Sequence, residues 1–277
     1  MIPVLSETEF ELFRTLLQNK TGILLKAARR QTLGRRLAKR MEALGMSSYT
    51  AYYRMLKAGK NEEELRALIN HVTIDQTSFF RAGPQFDLLA GRVIPEIMQK
   101  NYGLKQMRIW SAGCSRGHEP YSVAMMLQQA ARELVSWDVK ILATDIDSDS
   151  LKYAFRGRYT ANEMSHVPED YATRFFKPQR HGGKKLYAVK DRLRNPILFR
   201  RLNLLDAPYP IKGPMDVILC RNVMIYFSRT QKQQIMGEFL RLLPIGGYLC
   251  LGASESLIGI DDRFSLLGHA VYQKQKN

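Results

Sequence analysis

Over roughly the first quarter of the chain, apolar residues recur at helical spacing; over most of the remainder they come in short strand-like runs. Phe10, Phe13, Leu16 and Leu17 share one face of a helix that Ser6 can cap and that Gly22 follows. A second helix carries Leu33, Leu37, Met41 and Leu44 as a stripe, and a third follows Ser48. A fourth is marked by Asn61 as cap, by Glu62 to Glu64 in its first turn, and by Leu65, Leu68, Ile69 and Val72 inward. Residues 1–72 therefore read as an all-helical domain. The period breaks over 73–85, TIDQTSFFRAGPQ, a linker leading into a helix over Phe86–Lys100 with Phe86, Leu89, Val93 and Ile97 inward.

Beyond this helix the pattern alternates. Strands are predicted at Met107–Ala112, Val139–Asp145, Ile197–Asn203, Asp216–Cys220 and Tyr248–Gly252. Helices are predicted from about Tyr121 to Leu134, near Ser148–Phe155 and Pro168–Phe176, and after Ser228 with Ile235, Phe239 and Leu242 inward. Phe264–Leu267 and Ala270–Gln273 form a closing hairpin at the sheet edge. Such alternation predicts an α/β domain over 86–277, a parallel sheet with helices on both faces. Inside it, residues 177–195 read as an inserted hairpin, with Gly182-Gly183 as the turn and Leu186–Val189 as a strand.

One stretch organises that domain: Arg108–Met126, RIWSAGCSRGHEPYSVAMM. An apolar strand gives way to a cluster of small residues and then to Glu119, Pro120 and a helix. Glycines in such a turn let backbone approach a ligand closely, and Pro120 suits a first helical position. The spacing is not that of a dinucleotide fingerprint. Ligands of doubly wound sheets bind at the carboxyl ends of the strands. Polar residues there are the candidates: Asp145 as acceptor for ribose hydroxyls, Asn203 after the third strand, and Arg221, Asn222 and Tyr226 after the fourth. Asp147 or Ser148 suits the capping of the following helix better than Asp145 does.

Charge narrows the partners. With 42 Lys+Arg against 26 Asp+Glu the formal charge is +16, which predicts an acidic partner. Eight basic residues and no acidic one lie between Lys20 and Arg40, and ten basic residues with one acid lie between Arg174 and Arg201. Cys114, Cys220 and Cys250 have no paired spacing and read as buried thiols of a reducing compartment. No signal peptide or membrane span is expected, and the protein is placed in the cytoplasm. The five histidines are scattered without metal-ligand spacing, so no metal is expected. Serine-hydrolase and P-loop motifs are missing too.

The segments TIDQTSFFR, WSAGCSRGHEPYS, ATDID, RLNLLD and CRNVMIYF resemble, in order and spacing, the signature blocks of chemotaxis receptor methyltransferases of the CheR type. The resemblance covers essentially the whole chain. It implies a Rossmann-like class I methyltransferase sheet with an N-terminal all-helical domain and an inserted small β-subdomain. It also implies S-adenosylmethionine as cofactor, S-adenosylhomocysteine as product, and O-methylation of glutamates on chemoreceptor helices. Carried onto this chain, the cofactor residues are Asp75, Thr77, Arg81, Gly113, Glu119, Asp145, Asn203, Leu204, Arg221 and Asn222. Arg81 and Tyr226 lie nearest the reacting methyl. Asp75 departs from the family's usual Asn and lacks an amide's donors. Arg29, Arg35, Arg36, Lys39 and Arg40 are expected to dock the receptor's acidic methylation helices. In some members the inserted hairpin grips a receptor C-terminal tether by strand addition. A nucleic-acid methyltransferase is the alternative, since two positive surfaces suit phosphate. Against it, Arg-Asn-Val-Met replaces the Asn-Pro-Pro-Tyr type of motif and no stacking aromatics are spaced for bases, so no nucleic-acid partner is expected. A non-catalytic relic is disfavoured by Arg81, Glu119, Asp145, Asn222 and Tyr226 occurring together.

Overall fold

Ser6 opens α1 (Glu7–Thr21) with a reciprocal cap: its hydroxyl accepts from Glu9 N at 3.3 Å, and the Glu9 carboxylate accepts from Ser6 N at 3.1 Å. A cap of this kind contributes about 1 kcal/mol. The computed structural model describes residues 4–59, 61–73, 77–130, 134, 136–257, 259 and 261–276. After α1 come α2 (Arg30–Ala43), α3 (Tyr49–Lys57), capped by Ser48, and α4 (Glu62–Val72), capped by Asn61. Phe10, Phe13, Leu17, Leu37, Met41, Tyr52 and Leu68 close a core of their own. Leu44 lies beyond the end of α2 and is exposed.

The basic face of α2 divides in two. Arg35 and Lys39 are exposed. Arg36 donates to the carbonyls of Val72 and Thr73 at 2.7 and 3.0 Å. Arg40 pairs with the buried Glu64, Nε to Oε1 at 3.0 Å, and Tyr52 donates to the same carboxylate at 2.6 Å. The expectation that all five cations dock a partner is therefore corrected for Arg36 and Arg40. Their guanidinium groups are held inside the helical unit, tying α2 to α4.

The linker leads to α5 (Gly83–Leu88) and α6 (Ile94–Lys100), joined through a single π turn over Leu89–Val93. There Ile94 N donates to Leu89 O, five residues back. Pro95 has no N–H with which to continue the normal ladder, so the helix widens just ahead of it. Then follow β1 (Gln106–Ala112), α7 (His118–Ala130), β2 (Asp138–Asp145), α8 (Ser148–Arg156), β3 (Arg158–Thr160), α9 (Glu169–Phe175), β4 (Phe176–His181) and β5 (Lys184–Val189). The chain closes with α10 (Asp191–Arg194), β6 (Ile197–Arg201), β7 (Val217–Cys220), α11 (Arg229–Leu242), β8 (Tyr248–Leu251), β9 (Phe264–Gly268) and β10 (Val271–Lys274). Pro120 is the third residue of α7 rather than its first.

Among the described residues, seven strands form the main sheet in the order β6-β2-β1-β7-β8-β10-β9. The first five run parallel, and the terminal hairpin adds β10 and β9 antiparallel. Strand alternation sorts the side chains onto two faces. Ile109, Val217, Leu219 and Cys250 pack against α5, α6 and α7, whereas Trp110, Ile218, Leu249 and Leu251 pack against α11. The small sheet, β3-β5-β4, is antiparallel and takes in a strand the sequence pattern left unmarked. Three residues are too few to show a period; what fixes β3 is Tyr159, fully buried against Phe79, His118 and Phe176. No helix among the described residues is long and apolar enough to cross a membrane.

Candidate active site

Strand order reverses between β1 and β7, and the crevice beyond their carboxyl ends opens into a cavity of ≈ 430 Å³. Thr77, Arg81, Gly113, Glu119 and Asp145 line it, together with Asn203, Leu204, Arg221, Asn222 and Tyr226. Arg29 lines it as well; Arg35, Arg36, Lys39 and Arg40 do not. Asp75 lies outside the described residues.

The glycine turn after β1 folds across the tip of β2. Gly113 N and Cys114 N both donate to Thr144 O, at 2.8 and 2.9 Å. Gly113 (φ 84°) and Gly117 (φ 85°) occupy left-handed backbone, and a Cβ on Gly113 would penetrate Val223 on the opposite wall. Gly113→Ala is expected to lower the unfolding free energy by about 1–3 kcal/mol, as overpacking does, and to weaken cofactor binding. Gly237→Ala, in α11 with open space around it, serves as the control and should be neutral or stabilising. Denaturant titration and calorimetry read both effects.

Asp145 ends β2 with its carboxylate accepting from Ser115 N at 2.8 Å and from Asp147 N at 2.9 Å. Asp147, not Asp145, caps α8, accepting from Asp149 N and Ser150 N. Lone pairs therefore remain on Asp145 toward the cavity. Burial raises its pKa to about 6, against the lowering effect of the two N–H donors. The Ser115 hydroxyl, on the same wall, is buried without a protein partner.

Arg81 sits on an arch between two left-handed residues, Phe80 (φ 50°) and Ala82 (φ 61°). Such backbone costs energy and persists only where neighbours hold it. Here Phe79 is fully buried among His118, Tyr159 and Phe176, and Phe80 N donates to Ser122 Oγ at 2.9 Å. The carbonyl of Arg81 accepts from Arg221 Nη2. Arg81 itself is exposed at the rim.

Arg221 turns inward. Its Nη1 donates to Glu119 Oε2 at 3.1 Å, and its guanidinium lies 5.4 Å from the centre of the Phe86 ring. Glu119 also accepts from Ser111 Oγ at 2.6 Å. The arginine thus fixes both the acid of α7 and the Arg81 arch. Asn203 bridges the two units: its amide donates to Lys20 O at 3.2 Å and to Asp206 Oδ1 at 3.0 Å. Leu24 N donates to Tyr226 O at 3.0 Å, and a Cβ on Gly22 would come within 2.7 Å of Phe227. The segment after α1 is therefore a wall of the cavity. On the sequence this segment counted for its helix-ending Gly22 and its charge; the further signal in it was Ile23-Leu24-Leu25, too apolar for a surface turn.

A mostly parallel sheet used at its switch point, with a glycine turn on β1 and an acid at the tip of β2, is the architecture of α/β enzymes that bind a nucleoside-containing cofactor, the class I methyltransferases among them. Comparison with known proteins carries this further. Residues 8–73 match the family described as CheR methyltransferase, all-alpha domain, and residues 75–273 match CheR methyltransferase, SAM binding domain. The chemotaxis protein methyltransferase of Salmonella typhimurium is 35% identical over 273 residues, covering 99% of this chain and 92% of its own. That of Escherichia coli is 35% identical over 274 residues, covering 99% and 93%. The chain belongs to the CheR methyltransferase family. An O-methyltransferase family protein from Burkholderia thailandensis is a weaker structural likeness, at TM-score 0.37 and 13% identity over 72% of this chain and 43% of its own.

The cofactor of the family is S-adenosylmethionine, and the cavity fits it. Its volume suits one such molecule. Asp145 offers acceptors for a vicinal diol, Ser115 offers a free hydroxyl, and Glu119 keeps unused lone pairs for an ammonium group.

Proposed function

We propose that this enzyme methylates the side-chain carboxylates of particular glutamates on the cytoplasmic helices of chemoreceptors, giving glutamyl methyl esters. One observation carries the reading: Arg81 and Tyr226 share a cavity with Asp145 and Glu119, the cations Lys26 and Arg29 standing at its exposed side. The direct test is to incubate the protein with methyl-labelled S-adenosylmethionine and receptor cytoplasmic fragments. An ester releases its label as methanol in alkali; label that withstands alkali points to another acceptor, N-methylated bases included. The comparisons offer no support for the nucleic-acid alternative.

S-adenosylmethionine, when bound, would supply a methyl group activated by its sulfonium. A glutamate is ionised near neutral pH, so the chain needs no general base. Its task is alignment and exclusion of water. Transfer quenches two opposite charges, so the transition state is less polar than the reactants. Arg81 therefore works by orienting the incoming carboxylate, and too firm a grip would slow the reaction. Tyr226 offers a hydrogen bond beside it. Asp145 would hold the ribose, and Glu119, itself held by Arg221, would take the methionine end.

The charge state of Asp145 gives a pH signature. The ionised form accepts best from two hydroxyls, and its pKa in the free protein is about 6. Affinity for S-adenosylhomocysteine is thus expected to be level above pH 7 and to fall as pH drops through 6, toward about tenfold per unit well below it. Asp145→Asn should bind more weakly and lose that slope. Calorimetry between pH 5 and 8 checks it; a level profile for the unsubstituted protein shows that Asp145 keeps its charge over this range, and an Asp145→Asn affinity equal to the parent's removes Asp145 from cofactor recognition.

Arg29, Arg35 and Lys39 are the remaining docking cations for an acidic helix. Receptor affinity should then fall steeply with salt while cofactor affinity barely moves. β4 is an edge of the small sheet, basic at Lys177 and Arg180, which supports strand addition by an acidic receptor tether there.

A further inference from the structure

The loop after β7 carries Asn222 and Tyr226 into the cavity, and it has no regular structure to hold it beyond one 3-10 turn, Met224–Tyr226. Asn222 stands in left-handed backbone at φ 59°. What fixes it comes from a different loop. Glu255, after β8 and only 8% exposed, accepts from Asn222 N at 2.9 Å, from Ile225 N at 3.2 Å and from Gly252 N at 2.6 Å. All three donors are main-chain groups, two of them in the loop that faces the reacting groups. Gly252 makes room for this: a Cβ there would lie 2.7 Å from Glu255 Oε2 and 2.8 Å from Asn222 Nδ2.

We infer that Glu255 is a positioning residue for methyl transfer, setting the backbone of the Asn222–Tyr226 loop by accepting the amides of Asn222 and Ile225. A buried carboxylate bonded to backbone N–H groups is a strong, directional clamp. It acts where a small displacement matters most, because a shift of about 1 Å at a reacting centre can cost about 100-fold in rate. The inference rests on the methyltransferase reading given above. It extends that reading to a side chain that is not among the residues lining the cavity.

The test is a double-mutant cycle on methyl transfer to receptor fragments, read alongside calorimetric binding of S-adenosylhomocysteine. Measurements are made at a temperature where circular dichroism shows each variant folded. Glu255→Ala should lower kcat by about 10- to 100-fold. Tyr226→Phe should cost about tenfold in the parent enzyme, the worth of one hydrogen bond, but less than about twofold once Glu255 is gone, because the hydroxyl is then no longer held in place. Glu255→Gln keeps the volume and one acceptor; it should remain folded even where Glu255→Ala does not, and lose about 3- to 10-fold. A kcat unchanged in either Glu255 variant, or costs of Glu255→Ala and Tyr226→Phe that simply multiply, overturns the inference. If the parent enzyme binds S-adenosylhomocysteine but transfers no methyl to receptor, the substrate reading fails. The clamp is then still judged by whether Glu255→Gln weakens that binding.

Discussion

Replacing Arg40 by alanine is expected to lower the unfolding free energy by about 3–5 kcal/mol, the cost of leaving a buried charge without its partner. Glu64 is 4% exposed, and its carboxylate is satisfied by Arg40 and by the Tyr52 hydroxyl. Tyr52 can still donate one hydrogen bond after the change, but the charge would be left uncompensated. Burial and that same carboxylate push the Tyr52 hydroxyl far above its ordinary pKa, so it stays a neutral donor and brings no positive charge to replace the guanidinium. Lys39→Ala, one residue away on the exposed side of α2, should change stability by less than about 0.5 kcal/mol. Denaturant titration of both variants decides the matter. An Arg40 effect no larger than that of Lys39 would return Arg40 to the docking surface. The comparison also separates two roles that one run of basic residues conceals: cations that hold the helical unit together and cations left over for a partner.

Arg81→Ala is expected to raise the barrier to methyl transfer by about 2–4 kcal/mol, by analogy with losing one preorganised donor, which is about 30- to 1,000-fold in rate. The arch that carries Arg81 is fixed through Phe79, Phe80 N and the Arg81 carbonyl, none of which the substitution removes. The fold should therefore stay close to that of the parent, and the loss in kcat/KM for receptor should exceed any weakening of S-adenosylhomocysteine binding. Arg81→Lys should recover only part of the rate, since an ammonium lacks the two-pronged geometry that orients a carboxylate. Unchanged turnover in Arg81→Ala would remove the side chain from the mechanism.

Much of the cavity was legible before any coordinates. The Gly113 turn, Asp145 at the tip of β2 and Arg221-Asn222 at the tip of β7 follow from strand alternation and from where ligands bind in such sheets. Three features were not. Glu255 stands 33 residues beyond Asn222, in a loop with no periodicity, and only its hydrogen bonds give it a part. Arg36 and Arg40 look on the sequence like Arg35 and Lys39; Glu64, which pairs with Arg40, is 24 residues away on another helix. Tyr159 lies in a strand too short to show a pattern, and its burial among Phe79, His118 and Phe176 seats the small sheet on the arch that carries Arg81.

By itself the sequence determined the local order: where helices start and stop, which faces are apolar, which residues end each parallel strand, and the family blocks those residues compose. These are near-neighbour properties, set by backbone sterics, capping and period. Tertiary structure alone decided which charges are free, which backbone amides Glu255 clamps, and that the segment after α1 closes one wall of the cavity. Each of these depends on pairs distant along the chain and on burial, and a charge acquires its energy from the partner and the dielectric it meets only after folding.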